Sequence, residues 1–141
     1  MKSELPHTGI IDESLEGEQE LLMRARLHTR GGFHRFSQGM ISDAIAAFYD
    51  ALSSAMQRYI IVNEIPTYNV DISEDSNLFK VIHKSGVFDD TTTLEDFDFI
   101  ERTLDDALEN RLESFDETSF LEIVVSLLNQ LEIISDQLDI A

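Results

Sequence analysis

The chain has 141 residues, of which 43% are apolar and 27% are charged, a composition typical of a globular domain with one hydrophobic core. It contains no cysteine, so disulfides, thiolate metal sites and thiol catalysis are excluded. The first residues lack the apolar run of a signal peptide, and no stretch approaches the roughly 18 apolar residues that span a bilayer. We therefore expect a cytoplasmic protein with no membrane partner.

The formal net charge of −18 is unevenly distributed along the chain. Residues 1–58 contain 8 acidic and 6 basic residues (net −2), whereas residues 59–141 contain 20 acidic and 4 basic residues (net −16). This field disfavours nucleic-acid or anionic-membrane binding by the second half and favours a protein partner with a basic surface. It is also compatible with a protein that imitates nucleic acid, or with an acidic surface that only maintains solubility.

The N-terminal region divides into a tail and a first helix. Residues 1–14 show no sustained periodicity and are predicted to be a flexible segment, so that residues 15–141 form a single helical domain. From about residue 15, apolar side chains recur at helical spacing, and Gly32 lies on their stripe, where a missing side chain allows a second helix to approach closely. Gly39 is the expected end of this helix.

The second helix, residues 41–62, has the most regular apolar pattern in the chain, and the proline at position 66 places its end before a loop at residues 64–75. Its apolar stripe predicts a core face or a homodimer face. The six residues of this stripe are Ile41, Ile45, Phe48, Leu52, Met56 and Tyr59.

Three further helices are predicted in the second half. A short helix at residues 77–86 ends at Gly86, a capping box formed by Thr93 and Asp96 begins a helix that runs to about Arg111, and a last helix continues to Leu138. Strand signals are weak throughout. The fold predicted is therefore all-α: an antiparallel four-helix bundle with one short extra helix.

Residues 22–60, LMRARLHTRGGFHRFSQGMISDAIAAFYDALSSAMQRYI, resemble the first helical hairpin of HEPN domains. The likeness lies in a helix, then GMISDAIAAFYDAL, then an Ala-rich amphipathic helix with the aromatic pair Phe48 and Tyr49. The resemblance implies a small helical bundle that acts either as a metal-independent ribonuclease or as a non-catalytic partner, often dimeric and often paired with a nucleotidyltransferase. Part of this stretch also resembles one tetratricopeptide unit, but a 34-residue shift reveals no second copy.

Catalytic HEPN domains carry an arginine, four to six residues and then a histidine, late in the bundle. Here Arg30 and His34 are separated by three residues and lie in the first helix, so the motif is absent. The resemblance thus favours a non-catalytic interaction or regulatory protein. The alternative is a HEPN-type ribonuclease or nucleotide-binding protein that uses Arg30 and His34 from two subunits of a dimer.

The most concentrated candidate site is the basic strip of the first helix, defined here as Arg26, Arg30 and His34 at four-residue steps on one side of the helix. It could contact phosphate, form a protein interface or pair with the acidic helices. No Glu-x-x-His step, glycine-rich phosphate loop or nucleophile elbow occurs. We accordingly predict no catalytic residue, metal site or cofactor.

Overall fold

The computed structural model describes residues 17–112 and 115–134, and within them the chain forms five helices and no strand. The helices are α1 (Glu18–Ser37), α2 (Ile41–Asn63), α3 (Asp75–Lys84), α4 (Leu94–Leu108) and α5 (Glu117–Gln130). They pack against one another, so the predicted all-α helical bundle is confirmed. The predicted flexible segment, residues 1–14, lies outside the described residues. No described helix is long and apolar enough to cross a membrane.

Helices α1 and α2 form a tightly packed hairpin whose turn is built on Gly39. This glycine has φ +79°, a left-handed conformation that costs glycine no steric strain, and the following Met40 N–H donates to the Arg35 carbonyl at 2.9 Å. Within the hairpin, Gly32 faces the ring of Phe48 so closely that a methyl group would not fit between them. The predicted role of Gly32 in a close helix–helix contact is confirmed.

Helix α2 lies at the centre of the bundle and packs against each of the other four helices. The reason is its composition, because apolar residues surround most of its circumference and eleven of its residues are buried. The Phe48 ring lies 4.9 Å from that of Phe33 in α1 and 6.2 Å from that of Phe120 in α5. These edge-to-face contacts join the hairpin to the last helix.

Local signals begin and end the shorter helices. Gly86, with φ +86°, follows the end of α3, as predicted. The predicted capping box at α4 is confirmed, because Thr93 N–H donates to the Asp96 carboxylate at 3.0 Å. Asp116 caps α5 by accepting the Ser119 N–H at 3.1 Å.

Two predicted helix ends are wrong, in both cases because a residue shortly after the helix adopts a left-handed conformation. Helix α5 ends at Gln130 because Glu132 adopts φ +68° and the Ile133 N–H turns back to the Leu128 carbonyl at 2.9 Å. Helix α4 ends at Leu108, with Asn110 at φ +58°. Ile133 and Ile134 remain buried after the turn, so the apolar periodicity continued although the helix did not. Leu138 lies outside the described residues.

Candidate functional site

The basic strip has the arrangement that its spacing predicts, because α1 is helical throughout. Arg26 and Arg30 are exposed, while His34 is half-buried. Arg26 Nε donates to the backbone carbonyl of Ile133 at 3.2 Å, which ties α1 to the chain segment after α5. For Arg30, no hydrogen bond or ion pair is formed with any residue in the ranges 17–112 and 115–134.

Two ion pairs join other charged groups of the hairpin. Arg24 forms an ion pair with Glu20 one turn away, and Arg58 Nε of α2 lies 3.2 Å from the Glu18 carboxylate. Burial lowers the pKa of His28, an effect that the nearby Asp50 carboxylate opposes. Neither Arg26 nor Arg30 forms an ion pair with a described residue of α4 or α5, so cross-bundle ion pairing does not occupy these two arginines.

The apolar face of α2 is used inside the chain. Ile45 and Phe48 are completely buried, Leu52 and Met56 retain 1% exposure, and Tyr59 retains 8%. Ile41, at the start of the helix, is half-buried and packs against the same core. Because this face is already covered by the other helices of one chain, a homodimer would need a different surface.

Helix α4 and the residue that follows it present a row of exposed carboxylates, here called the acidic stripe and defined as Glu95, Asp98, Asp105 and Glu109. Steps of three, seven and four residues keep all four on one side of the helix, along about 21 Å of its length. Arg102 lies on the same side, between Asp98 and Asp105. The sequence predicts helical carboxylates at these four positions and at Asp106, and favours a solvated face. In the structure Asp106 is half-buried, so it does not belong to the stripe.

A second acidic feature lies between α2, α3 and α4. The Tyr49 hydroxyl donates to Glu101 Oε2 at 3.2 Å, and Ser53 Oγ donates to Asp75 Oδ1 at 2.8 Å. Burial, followed by the carboxylates of Asp75 and Glu101, raises the pKa of the Tyr49 hydroxyl well above its ordinary value. Burial also raises the pKa of Glu101, although the hydrogen bond from Tyr49 acts in the opposite direction. Tyr49 is therefore a neutral donor that joins α2 to α4.

These clusters contain no group suited to hold a metal ion: among the described residues, no three His, Asp or Glu side chains converge. The polar side chains that do converge serve packing. Gln130 of α5, for example, accepts the Asp89 N–H at 2.8 Å and donates to Thr92 Oγ1 at 3.1 Å and to Ser126 Oγ at 2.9 Å. Sequence reasoning missed this network because its members are up to 41 residues apart.

Comparisons with known proteins add no identification. No protein-family model, no curated protein and no solved structure matches this chain. What the molecule does must therefore be inferred from its own surfaces, which include the basic strip on α1 and the acidic stripe on α4.

Proposed function

We propose that this chain is a non-catalytic helical interaction protein of HEPN-like type, and that its acidic stripe binds a basic surface of a protein partner. The observation that carries the proposal is the alignment of Glu95, Asp98, Asp105 and Glu109 on one exposed side of α4. Glu95, Asp98 and Asp105 form no ion pair with a described residue, whereas Glu109 pairs with Arg111, so a basic partner can bind three of the four carboxylates directly. The strongly negative field of residues 59–141 would also accelerate the encounter with such a partner.

The HEPN-like assignment, the cytoplasmic location and a homodimeric state belong to the same proposal. The close α1–α2 hairpin supports the HEPN-like assignment, because it covers the stretch that resembles HEPN domains. Exposed apolar side chains at the end of α2 and in the following loop offer a dimer surface other than the buried face of α2; they are Ile61, Val62, Tyr68 and Ile72. Light scattering of the purified protein measures the oligomeric state directly.

The experiment that tests the acidic stripe compares two variants of equal net charge, titrated into a fluorescent arginine-rich peptide. In the stripe variant, all four carboxylates are neutralised, as Glu95→Gln, Asp98→Asn, Asp105→Asn and Glu109→Gln. In the control variant, four exposed carboxylates elsewhere are neutralised, as Asp43→Asn, Asp90→Asn, Glu117→Gln and Glu132→Gln.

We expect the stripe variant to bind the peptide about tenfold more weakly than the control, because it loses ion pairs of Glu95, Asp98 and Asp105 with the peptide, each worth roughly 0.2–1 kcal/mol. Both variants carry the same total charge, so long-range attraction affects them equally. Equal weakening in the two variants would mean that net charge alone attracts the peptide and that the stripe is not a binding site.

A second candidate function rests on the exposure of Arg26 and Arg30, one helical turn apart on the basic strip. Such a pair can contact adjacent phosphates of RNA, and His34 on the same side could take part in cleavage, as the HEPN alternative requires. Incubation with total RNA at low salt, followed by gel electrophoresis, separates the two candidates. The interaction protein leaves RNA intact, whereas cleavage that is abolished by His34→Ala would establish the nuclease in its place.

A further inference from the structure

Glu101 of α4 is a half-buried carboxylate that has one hydrogen-bond donor among the described residues. That donor is the Tyr49 hydroxyl, which lies 3.2 Å from Glu101 Oε2. The hydroxyl stays neutral, because burial and the neighbouring carboxylates raise the pKa of Tyr49 well above its ordinary value. Glu101 forms no ion pair with a described cation. When ionised, it is therefore a partly desolvated charge with no opposite charge bound to it.

Apart from this hydroxyl, the described groups that act on Glu101 are all carboxylates. Asp98 and Asp105 lie one turn before and one turn after it on α4, and Asp75 is at the start of α3. Arg102 is the next residue in the chain, but its Nε donates to the Asp98 carbonyl at 3.4 Å and it forms no ion pair with a described residue. Burial and then repulsion from the three carboxylates raise the pKa of Glu101.

Two of these neighbours, Asp98 and Asp105, also belong to the acidic stripe, where no described cation pairs with them. Residues three or four positions apart on a helix have Cβ atoms about 5–6 Å from each other. A cation bound to either stripe carboxylate would thus lie close to Glu101. An opposite charge at such a distance favours the ionised form of a carboxyl group. Binding of a basic partner and ionisation of Glu101 therefore favour each other.

We infer that Glu101 makes partner binding at the acidic stripe dependent on pH: it holds a proton in part of the free molecules in mild acid and releases that proton to solvent when a basic partner binds. This inference rests on the proposed function, in which the stripe binds such a partner. Because the complex holds fewer protons than the free protein, affinity rises with pH through the range in which Glu101 titrates. Exposed carboxyl groups ordinarily titrate near pH 4, so measurements between pH 5 and pH 7 favour the contribution of a half-buried group.

The test repeats the titration of the fluorescent arginine-rich peptide at pH 5, 6 and 7. Glu101→Gln cannot take up this proton, whereas Glu122→Gln removes the same charge from an exposed position on α5 and leaves Glu101 in place. From pH 7 to pH 5, we expect the affinity of the parent protein and of Glu122→Gln to fall about threefold to tenfold. This is the effect of a nearby cation that strengthens the ionisation of one carboxyl group by the same factor. The affinity of Glu101→Gln should change less than about twofold.

Two further measurements separate a proton on Glu101 from a merely structural effect. Calorimetry in buffers of different ionisation heat counts the protons released, and at pH 5.5 the parent protein and Glu122→Gln should release more per bound peptide than Glu101→Gln. In Tyr49→Phe, the hydrogen bond that lowers the pKa of Glu101 is absent. The fall in affinity should therefore begin at a higher pH in this variant than in the parent protein.

Circular dichroism at each pH verifies that the variants remain folded. The inference would be overturned, and the stripe would remain a binding site, if Glu101→Gln showed the pH dependence or the proton release of the parent protein. An unmoved pH dependence in Tyr49→Phe would count against it in the same way. If neutralising the four stripe carboxylates weakened peptide binding at pH 7 no more than the control variant does, the inference and the proposed function would both be wrong.

Discussion

Gly32 of α1 and Phe48 of α2 are in contact at a distance that leaves no room for a side chain. A Cβ atom built on Gly32 would lie 2.7 Å from Cε1 of Phe48 and 2.8 Å from two further ring atoms. The Phe48 ring cannot easily move away, because it is completely buried and packs edge-on against Phe33. The spacing of the α1–α2 hairpin therefore depends on this one missing methyl group.

Replacement of Gly32 by alanine should destabilise the protein, although alanine is the better helix former. The helix gains about 1 kcal/mol from the change in propensity, but forcing a methyl group into a filled core costs roughly 1–3 kcal/mol. We expect a net loss of about 1 kcal/mol in the free energy of unfolding, measured by urea denaturation. In a Phe48→Leu background the ring is absent, so the same Gly32→Ala change should cost less. Equal costs in the two backgrounds would show that the ring is not the obstacle.

The second prediction concerns Gln130, which joins α5 to the loop before α4. Gln130→Ala removes three hydrogen bonds and leaves the buried Thr92 side chain with fewer partners. We therefore expect the free energy of unfolding to fall by roughly 1–3 kcal/mol. Gln57→Ala is the control, because Gln57 is exposed and makes one long contact of 3.3 Å; its effect should stay within about 0.5 kcal/mol.

Hydrogen exchange measures the contact between the Asp89 amide and the Gln130 side chain locally. The Asp89 amide, whose acceptor is Gln130 Oε1, should exchange faster in Gln130→Ala. In Gln130→Glu an acceptor oxygen is retained, so protection of the Asp89 amide should persist even though both donor contacts are lost. Unchanged exchange in the alanine variant would indicate that another group protects this amide.

The sequence was sufficient to predict the helices and the α1–α2 contact because both depend on local signals. Apolar spacing, Gly39, Gly86 and the pair formed by Thr93 and Asp96 each act within a few residues. The end of α5 was mispredicted because Glu132 adopts a left-handed conformation that its residue type does not indicate. Since Ile133 and Ile134 are buried after that turn, the apolar pattern there resembles a continuing helix.

The candidate sites were less predictable, because they depend on which residues of different helices meet. The basic strip could be predicted from the spacing of Arg26 and Arg30 within one helix. By contrast, the contact between Tyr49 and Glu101 joins residues 52 positions apart, and the hydrogen bond between Gln130 and the Asp89 amide joins residues 41 positions apart. Periodicity assigns a residue to a face but not to a partner on another helix.

The third prediction uses the two arginines of the basic strip as a matched pair. Arg26→Gln removes the hydrogen bond to the Ile133 carbonyl, whereas Arg30→Gln removes the same charge one turn further along α1 with no bond to a described residue. Because Arg26 is exposed, water partly screens its hydrogen bond. We expect Arg26→Gln to lower the free energy of unfolding by about 0.5–1 kcal/mol. Arg30→Gln should change stability by less than about 0.5 kcal/mol in urea denaturation. Equal effects would mean that charge, rather than the bond to Ile133, determines the result.

The last prediction concerns the pH dependence that Glu101 imposes on stability. Burial raises the pKa of Glu101 in the folded state, with repulsion from Asp98, Asp75 and Asp105 adding to the effect, so folding favours its protonated form. The stability that a proton on Glu101 provides is therefore fully present below its unfolded pKa, near 4.5, and is lost as the pH rises through the higher folded value. Asp71, Asp89 and Asp116 act in the opposite direction, since hydrogen bonds lower the pKa of each carboxyl, but their effect appears only as the pH falls to about 3.8 and below.

Glu101→Gln should make this contribution visible, because the amide keeps an oxygen acceptor for the Tyr49 hydroxyl and carries no charge at any pH. At pH 7 we expect the variant to be more stable than the parent protein, with the difference shrinking as the pH is lowered towards 4.5. Glu122→Gln removes the same charge from an exposed position on α5. The difference in free energy of unfolding between this variant and the parent protein should change much less between pH 7 and pH 4.5. Urea denaturation of the three proteins at four values between pH 4.5 and pH 7 measures this convergence. Parallel curves for Glu101→Gln and Glu122→Gln would show that burial does not raise the pKa of Glu101.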